Sequence, residues 1–179
     1  MRVFSGLNIF LVSAVLAVQF CGVPREMNSI DQPEEAVLKF KLEAEAGYAA
    51  GQPVNIKFIL ENTSNEVLYV LTWYTPLEGL KGKIFKVTRN GVEIPYEGRM
   101  VKRGNPRRED YVRIGPGESL SATVDLSTGY NLGERGEYRI EFKGRIHDVI
   151  HGGQLQFRTQ IASLGMDVKG NAVAFRVHD

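Results

Sequence analysis

A single cysteine, Cys21, serves the 179-residue chain, so no disulfide can form within it. The folded part must hold itself by packing alone, and 43% hydrophobic residues make that feasible. Neither sign of charge is in excess. With 22 basic and 21 acidic residues the net charge is +1, which gives no global attraction to nucleic acid or to an anionic membrane surface. Long apolar runs are scarce too. The longest uncharged one, residues 7–18, follows the basic start Met1-Arg2 and is too short to span a bilayer, which takes about 20 residues. Its position and length are those of an export signal. The chain also lacks a serine elbow, a phosphate-binding glycine loop, paired carboxylates and a cysteine nucleophile, so it reads as a non-enzyme with no cofactor.

The export signal is expected to fill residues 1–21. Val15 and Ala17 put small residues where a signal peptidase would cut after Ala17, whereas Cys21 sits where a lipid-acceptor cysteine would become the mature N-terminus. The bulky Phe20 before it fits a lipoprotein site poorly, and the alternative is an incidental cysteine. Residues 22–35, with Pro24 and Pro33 and no apolar period, read as a tether. The β-sandwich domain is expected over 36–179, about one domain by length.

From Val37 onward apolar residues alternate with polar ones. Val54, Ile56, Phe58 and Leu60 show the period of two that marks a half-buried strand. Residues 67–73, rich in aliphatic and aromatic side chains, give another. Residues 84–89 and 92–96 flank Asn90-Gly91, a strong hairpin signal because both turn residues must take positive φ. Residues 111–114 and 120–126 flank the reverse turn Gly115-Pro116-Gly117-Glu118, and residues 138–142 and 172–177 close the pattern. Residues 62–65 read as a turn that also matches a glycan acceptor, and 155–161 is an ambiguous extra strand. Eight or nine short strands with no helix predict an all-β, immunoglobulin-like antiparallel sandwich of about eight strands.

Three stretches carry candidate chemistry. His147 and His151, four apart with Asp148 between, have zinc-ligand spacing only on a helix, and here the chain alternates as a strand and then reaches Gly152-Gly153. No metal site is expected. Residues 99–110 hold five basic side chains, Arg99, Lys102, Arg103, Arg107 and Arg108, which suit an acidic partner or simply a solvated loop. The most distinctive stretch runs from Trp73 through Thr75, Pro76, Leu77, Glu78, Gly79 and Leu80. Trp73 is expected in the core between the sheets, and an exposed Leu77 beside Glu78 would suit a partner's pocket.

The order Gly51-x-Pro53-Val54, Leu60-Glu61-Asn62-x-Ser64, Val70-Leu71-Thr72-Trp73-x-Thr75-Pro76-Leu77-Glu78-Gly79, Asn90-Gly91, Lys102-Arg103-Gly104, Asp110-Tyr111, Gly117-Glu118-Ser119 and Val124-Asp125-Leu126 resembles the N-terminal β-sandwich region of secreted deuterolysin-like zinc proteases. These are the aspzincins, which include peptidyl-Lys metalloendopeptidases. The likeness covers about residues 37–177 and implies a propeptide-like or accessory domain. The family's His-Glu-x-x-His helix and later aspartate ligand are not matched here. The resemblance therefore implies a non-catalytic exported binding module that docks on or restrains an exported zinc metalloprotease. Its expected contact residues are Thr75, Pro76, Leu77, Glu78, Gly79, Leu80, Lys102 and Arg103. The alternative is a structural envelope or surface sandwich with no protease partner.

Overall fold

The alternation seen in the sequence becomes strands wherever apolar residues recur every second position. In residues 55–62 Ile56, Phe58, Leu60 and Asn62 are buried, while the residues between them face outward. The computed structural model describes residues 37–152 and 165–179. The expected signal, tether and Cys21 site, and the extra strand at 155–161, lie outside the described residues. Twelve strands are present among those described: β1 (Leu38–Glu43), β2 (Gly47–Ala49), β3 (Asn55–Asn62), β4 (Leu68–Leu71), β5 (Phe85–Arg89), β6 (Val92–Glu93), β7 (Tyr111–Ile114), β8 (Ser119–Asp125), β9 (Gly136–Phe142), β10 (Val149–His151), β11 (Lys169–Gly170) and β12 (Val173–His178). No α-helix occurs among the described residues, only three 3-10 turns. Strands β2, β10 and β11 are two or three residues long and escape a period-two reading. Strand β6 stops at Glu93, short of the expected Tyr96.

Two sheets form the sandwich. One has the order β11-β1-β3-β8 and the other β2-β12-β9-β5-β6. Phe142 on β9 joins them: its ring lies 5.2 Å from both Phe40 on β1 and Phe58 on β3, and 5.8 Å from Phe85 on β5. The topology is immunoglobulin-like, with β1, β3 and β8 in the places of strands A, B and E and β5, β9 and β12 in those of C, F and G. A tyrosine corner accompanies it, since Tyr138 near the start of β9 donates its hydroxyl to the Glu134 carbonyl at 2.6 Å. The ladders are antiparallel except for β1 with β11 and β2 with β12, which are parallel. Asn90 (φ 48°) and Gly91 (φ 83°) make the expected hairpin between β5 and β6.

The third sheet, β10-β4-β7, is a bent continuation of the β3–β8 ladder. Leu60 faces Leu120 and Leu68 faces Ile114, so the first strand carries two more residues than its partner across the bend. The turn Gly115–Glu118 therefore lies at a corner between two sheets and does not close a hairpin.

Asn62 fixes this corner. It is fully buried, and its Nδ2 donates to the carbonyls of Glu66 (2.7 Å), Ile114 (3.0 Å) and Gly115 (3.0 Å). Its Oδ1 accepts from Ser64 N at 3.0 Å and Ser64 Oγ at 2.7 Å. A residue that reads as a turn or glycan acceptor is thus a buried clasp between two bends. Asn62→Ala should cost about 2–4 kcal/mol, because it takes a donor away from the buried Ile114 and Gly115 carbonyls. Asn62→Asp should cost at least as much, since a carboxylate would face those carbonyls. Urea unfolding of both variants measures this, and wild-type midpoints would disprove the clasp.

Candidate functional site

The corner sends β4 out of the main sandwich, and the chain beyond it builds the most distinctive surface. On β4, Leu68 and Val70 face the main core, while Leu71 joins Trp73, Tyr111 and Ile150 in a second cluster. Trp73 is buried as expected, but in this second cluster and not between the two large sheets.

Residues 74–79 are shaped by turn chemistry. Tyr74 has φ 59°, a left-handed conformation costly for an aromatic residue, and its N–H donates to Glu78 Oε1 at 2.8 Å. Thr75 caps the 3-10 turn Pro76–Glu78: its hydroxyl accepts from Leu77 N at 3.2 Å and donates to the Thr72 carbonyl at 2.6 Å. Pro76 occupies the first turn, where a missing N–H costs nothing. Gly79, at φ 84°, ends the turn in a conformation that favours glycine.

Burial differs along the stretch. Thr75 and Pro76 are buried, whereas Leu77, Glu78, Gly79 and Leu80 are half-buried, with both leucines packed against the main core. Leu77 is therefore shared between core and surface and does not project freely.

The basic loop folds onto this turn. Arg103 closes an ion pair with Glu78, whose side chain is only 7% exposed, and its guanidinium lies 5.0 Å from the centroid of the Trp73 ring. Arg103 Nε is the one buried side-chain polar atom without a hydrogen-bond partner among the described residues. The indole beneath the guanidinium supplies attraction there that an acceptor would otherwise give. Lys81 Nζ is 3.9 Å from the same carboxylate. Asp110 anchors the far end: its Oδ1 accepts from Trp73 Nε1 at 3.0 Å, its Oδ2 from Arg107 N at 2.7 Å, and its carbonyl from Thr72 N at 2.9 Å. Around these anchors, Arg99, Met100, Lys102, Arg107 and Arg108 are exposed, and Met100 is 77% exposed. Val101 N donates to the Lys81 carbonyl at 3.3 Å, which holds this rim beside the turn.

Two stretches that looked separate in sequence thus form one corner of the molecule. The sequence reading missed the Glu78–Arg103–Trp73 stack and Asp110. Their only sequence signal was the presence of opposite charges about 25 residues apart.

The histidines lie apart. His147 stacks on Tyr74 with ring centroids 4.7 Å apart, His151 Nδ1 is 2.8 Å from Glu66 Oε2, and His178 Nδ1 is 2.8 Å from the Asp179 carbonyl oxygen. Among the described residues, no group of three or more His, Cys, Asp or Glu side chains is placed to hold a metal ion.

No family model matches the chain. It is 30% identical over 89 residues to a protein described as an extracellular protease from Aeromonas hydrophila, and these span 50% of this chain and 25% of that protein. The chain thus matches a quarter of that protein's length. Among solved structures, the CARDB domain of the PF1109 protein from Pyrococcus furiosus, in complex with di-metal ions, superposes with a TM-score of 0.32 at 11% identity. It covers 78% of this chain and 91% of that one. The solution structure of the same domain gives 0.33 at 12% identity, covering 79% and 92%. An alkylpurine DNA glycosylase from Pseudomonas fluorescens, bound to DNA containing an abasic-site analog, gives 0.31 at 13% identity, covering 81% and 31%. Superpositions this loose transfer neither metal nor DNA binding.

Burial holds the His147 imidazole below its ordinary pKa, and the nearby Arg145 charge acts in the same direction. The unfolded chain therefore takes up this proton at a higher pH than the folded one. The stabilisation is complete above the ordinary histidine range and is lost as pH falls through about 6.5. The melting temperature should drop between pH 7.5 and 5.5, and His147→Phe, which keeps a ring against Tyr74, should reduce that drop. Thermal melts across this range test it; an equal drop in the variant would refute the assignment.

A double-mutant cycle on Arg103→Ala and Glu78→Gln should give a coupling of about 1–2 kcal/mol, because both side chains are largely removed from water. Strictly additive losses in chemical unfolding would show that the pair contributes nothing.

Proposed function

We propose that this chain is an exported, non-catalytic binding domain that docks on a secreted zinc metalloprotease and restrains it. The observation that carries the reading is the joined corner: the turn at Thr75, Pro76, Leu77, Glu78, Gly79 and Leu80 and the basic loop with Lys102 and Arg103 form one surface with an exposed apolar residue, Met100, at its rim. The 89-residue similarity to an extracellular protease supports the protease connection, and so does the resemblance to the aspzincin N-terminal region. The same similarity and the apolar run at residues 7–18 support export.

The corner assigns different work to its residues. Thr75, Pro76, Glu78 and Arg103 hold the surface in shape, because Thr75 caps the turn, Pro76 is buried in it, and Glu78 and Arg103 pair with each other over the Trp73 ring. Contact falls to the outer faces of Leu77 and Leu80 and to Met100 and Lys102. An apolar side chain framed by cations suits an acidic-rimmed pocket, in which the apolar anchor sets affinity and the charges set association rate.

Interferometry with an aspzincin-type protease secreted by the same organism tests the reading, together with that protease's rate on a peptide substrate. The wild-type domain should bind and slow the enzyme. Met100→Glu with Lys102→Glu should weaken binding at least about 30-fold, or about 2 kcal/mol, with an unchanged melting temperature. Absence of binding by the wild type would favour a structural envelope domain, and unchanged binding by the variant would remove this corner as the site.

A further inference from the structure

The six sheet edges among the described residues are not alike. Strands β2, β6, β7, β10 and β11 are two to four residues long, whereas β8 runs for seven residues, Ser119–Asp125, with β3 as its single sheet neighbour among the described residues. Exposed edges are ordinarily blunted by shortness, charge, proline or a bulge. Residues 119–123, Ser-Leu-Ser-Ala-Thr, carry no charge and no proline, and they pair with β3 in unbroken register.

The outward backbone groups can be assigned from the two ends of the β3–β8 ladder. Leu126 N donates to the Val54 carbonyl at 2.9 Å, and Asn62 N donates to the Glu118 carbonyl at 3.0 Å. Glu118, Leu120, Ala122, Val124 and Leu126 therefore direct their backbone groups at β3, and Ser119, Ser121 and Thr123 direct theirs away from it. All three of these residues are exposed, and no hydrogen bond reaches them from the described residues on that side. The 3-10 turn Pro76–Glu78 lies beside β8, and because Ser119, Ser121 and Thr123 are exposed while Val124 is buried, the accessible edge is residues 119–123.

We infer that this edge pairs antiparallel with the same edge of a second copy of the chain, about a two-fold axis through Ser121. In that register Ser121 faces the second copy's Ser121, and Ser119 faces its Thr123, which sets hydroxyl against hydroxyl on the outer face. Half-buried Leu120 faces Ala122 on the inner side, a large residue against a small one. Every outward-directed residue meets another, so about six new backbone bonds form. The edge complements itself, as a closed two-fold interface requires, and it offers no charge by which to select a different partner. A net charge of +1 sets no long-range barrier between copies. The two four-stranded sheets would become one continuous eight-stranded sheet, leaving the corner at Met100 and Lys102 to its own partner.

Sedimentation equilibrium of the full exported chain tests this without any protease present, so its outcome is separate from that of the proposed function. A strand-edge interface is small, and the average mass should climb toward twice the monomer with a dissociation constant of about 10–100 μM. Ser121→Pro removes an outward N–H without touching the β3 ladder and should leave a monomer of unchanged melting temperature. Ser119→Lys with Thr123→Lys serves the same purpose should the proline variant fail to fold. In a Cys21→Ser background, Ser121→Cys should give a disulfide-linked dimer under mild oxidation, because paired Cα atoms stand about 5.5 Å apart. A wild type that stays monomeric, or a dimer that survives both edge variants, overturns the inference. So would edge variants that lose protease binding while the wild type remains monomeric, since the edge would then belong to a partner's strand.

Discussion

With no disulfide to join its sheets, the sandwich depends on the ring of Phe142. It touches Phe40 and Phe58 on the facing sheet and Phe85 on its own, so four rings occupy the place where a cross-link between strands B and F would sit in an antibody domain. Rings of this size demand room. A Cβ built on Gly144 would come within 2.5 Å of the Phe142 ring and 2.6 Å of the Tyr74 carbonyl, and one on Gly170 would meet the Phe40 carbonyl and come within 2.5 Å of its ring, so both positions are held to glycine by the rings and the backbone beside them. Aromatic packing thus reaches beyond the core to a loop residue, Gly144, and to the short strand β11.

The corner at Asn62 translates that core into a surface. Because β3 and β4 form one interrupted strand, as do β7 and β8, the small sheet inherits its position from the large one. The second hydrophobic cluster then seats Trp73, and Trp73 seats Arg103. A chain of fixed partners runs from a buried amide to an ion pair at the rim of the candidate site. The basic loop is tied to the β4 extension at Arg103 and at Asp110.

Much of the fold could be read from the sequence because period-two burial and positive-φ turns are local. Residues 55–60, 85–93 and 138–142 fell where alternation and Asn90-Gly91 placed them. The parts that escaped are those settled by tertiary pairing. Strands β2, β10 and β11 are too short to show a period, and Asn62 looks like any turn asparagine until the distant Ile114 and Gly115 carbonyls converge on it. Trp73 was legible as buried, but its cluster was not, since the bend that separates the two cores depends on two extra residues in one strand. At the candidate site the turn chemistry of Thr75, Pro76 and Gly79 was visible in the residues themselves. The partnership of Glu78 with Arg103 was not, because nothing local links a turn to a loop 25 residues on.

The two parallel pairings give the domain a mechanical character. Strand β2, near the entrance of the fold, runs alongside β12, near its exit, in the same direction, with Gly47, Tyr48 and Ala49 matched to Arg176, Val177 and His178. Tension applied between the start of β2 and the end of β12 acts along both strands in opposite senses. The bonds between them are then loaded together in shear, and cannot open one after another as in a peeled hairpin. Strand β12 is itself an inner strand, paired on its other side with β9, so the load passes into the rest of its own sheet. A fold without covalent cross-links thereby resists being pulled open from its ends.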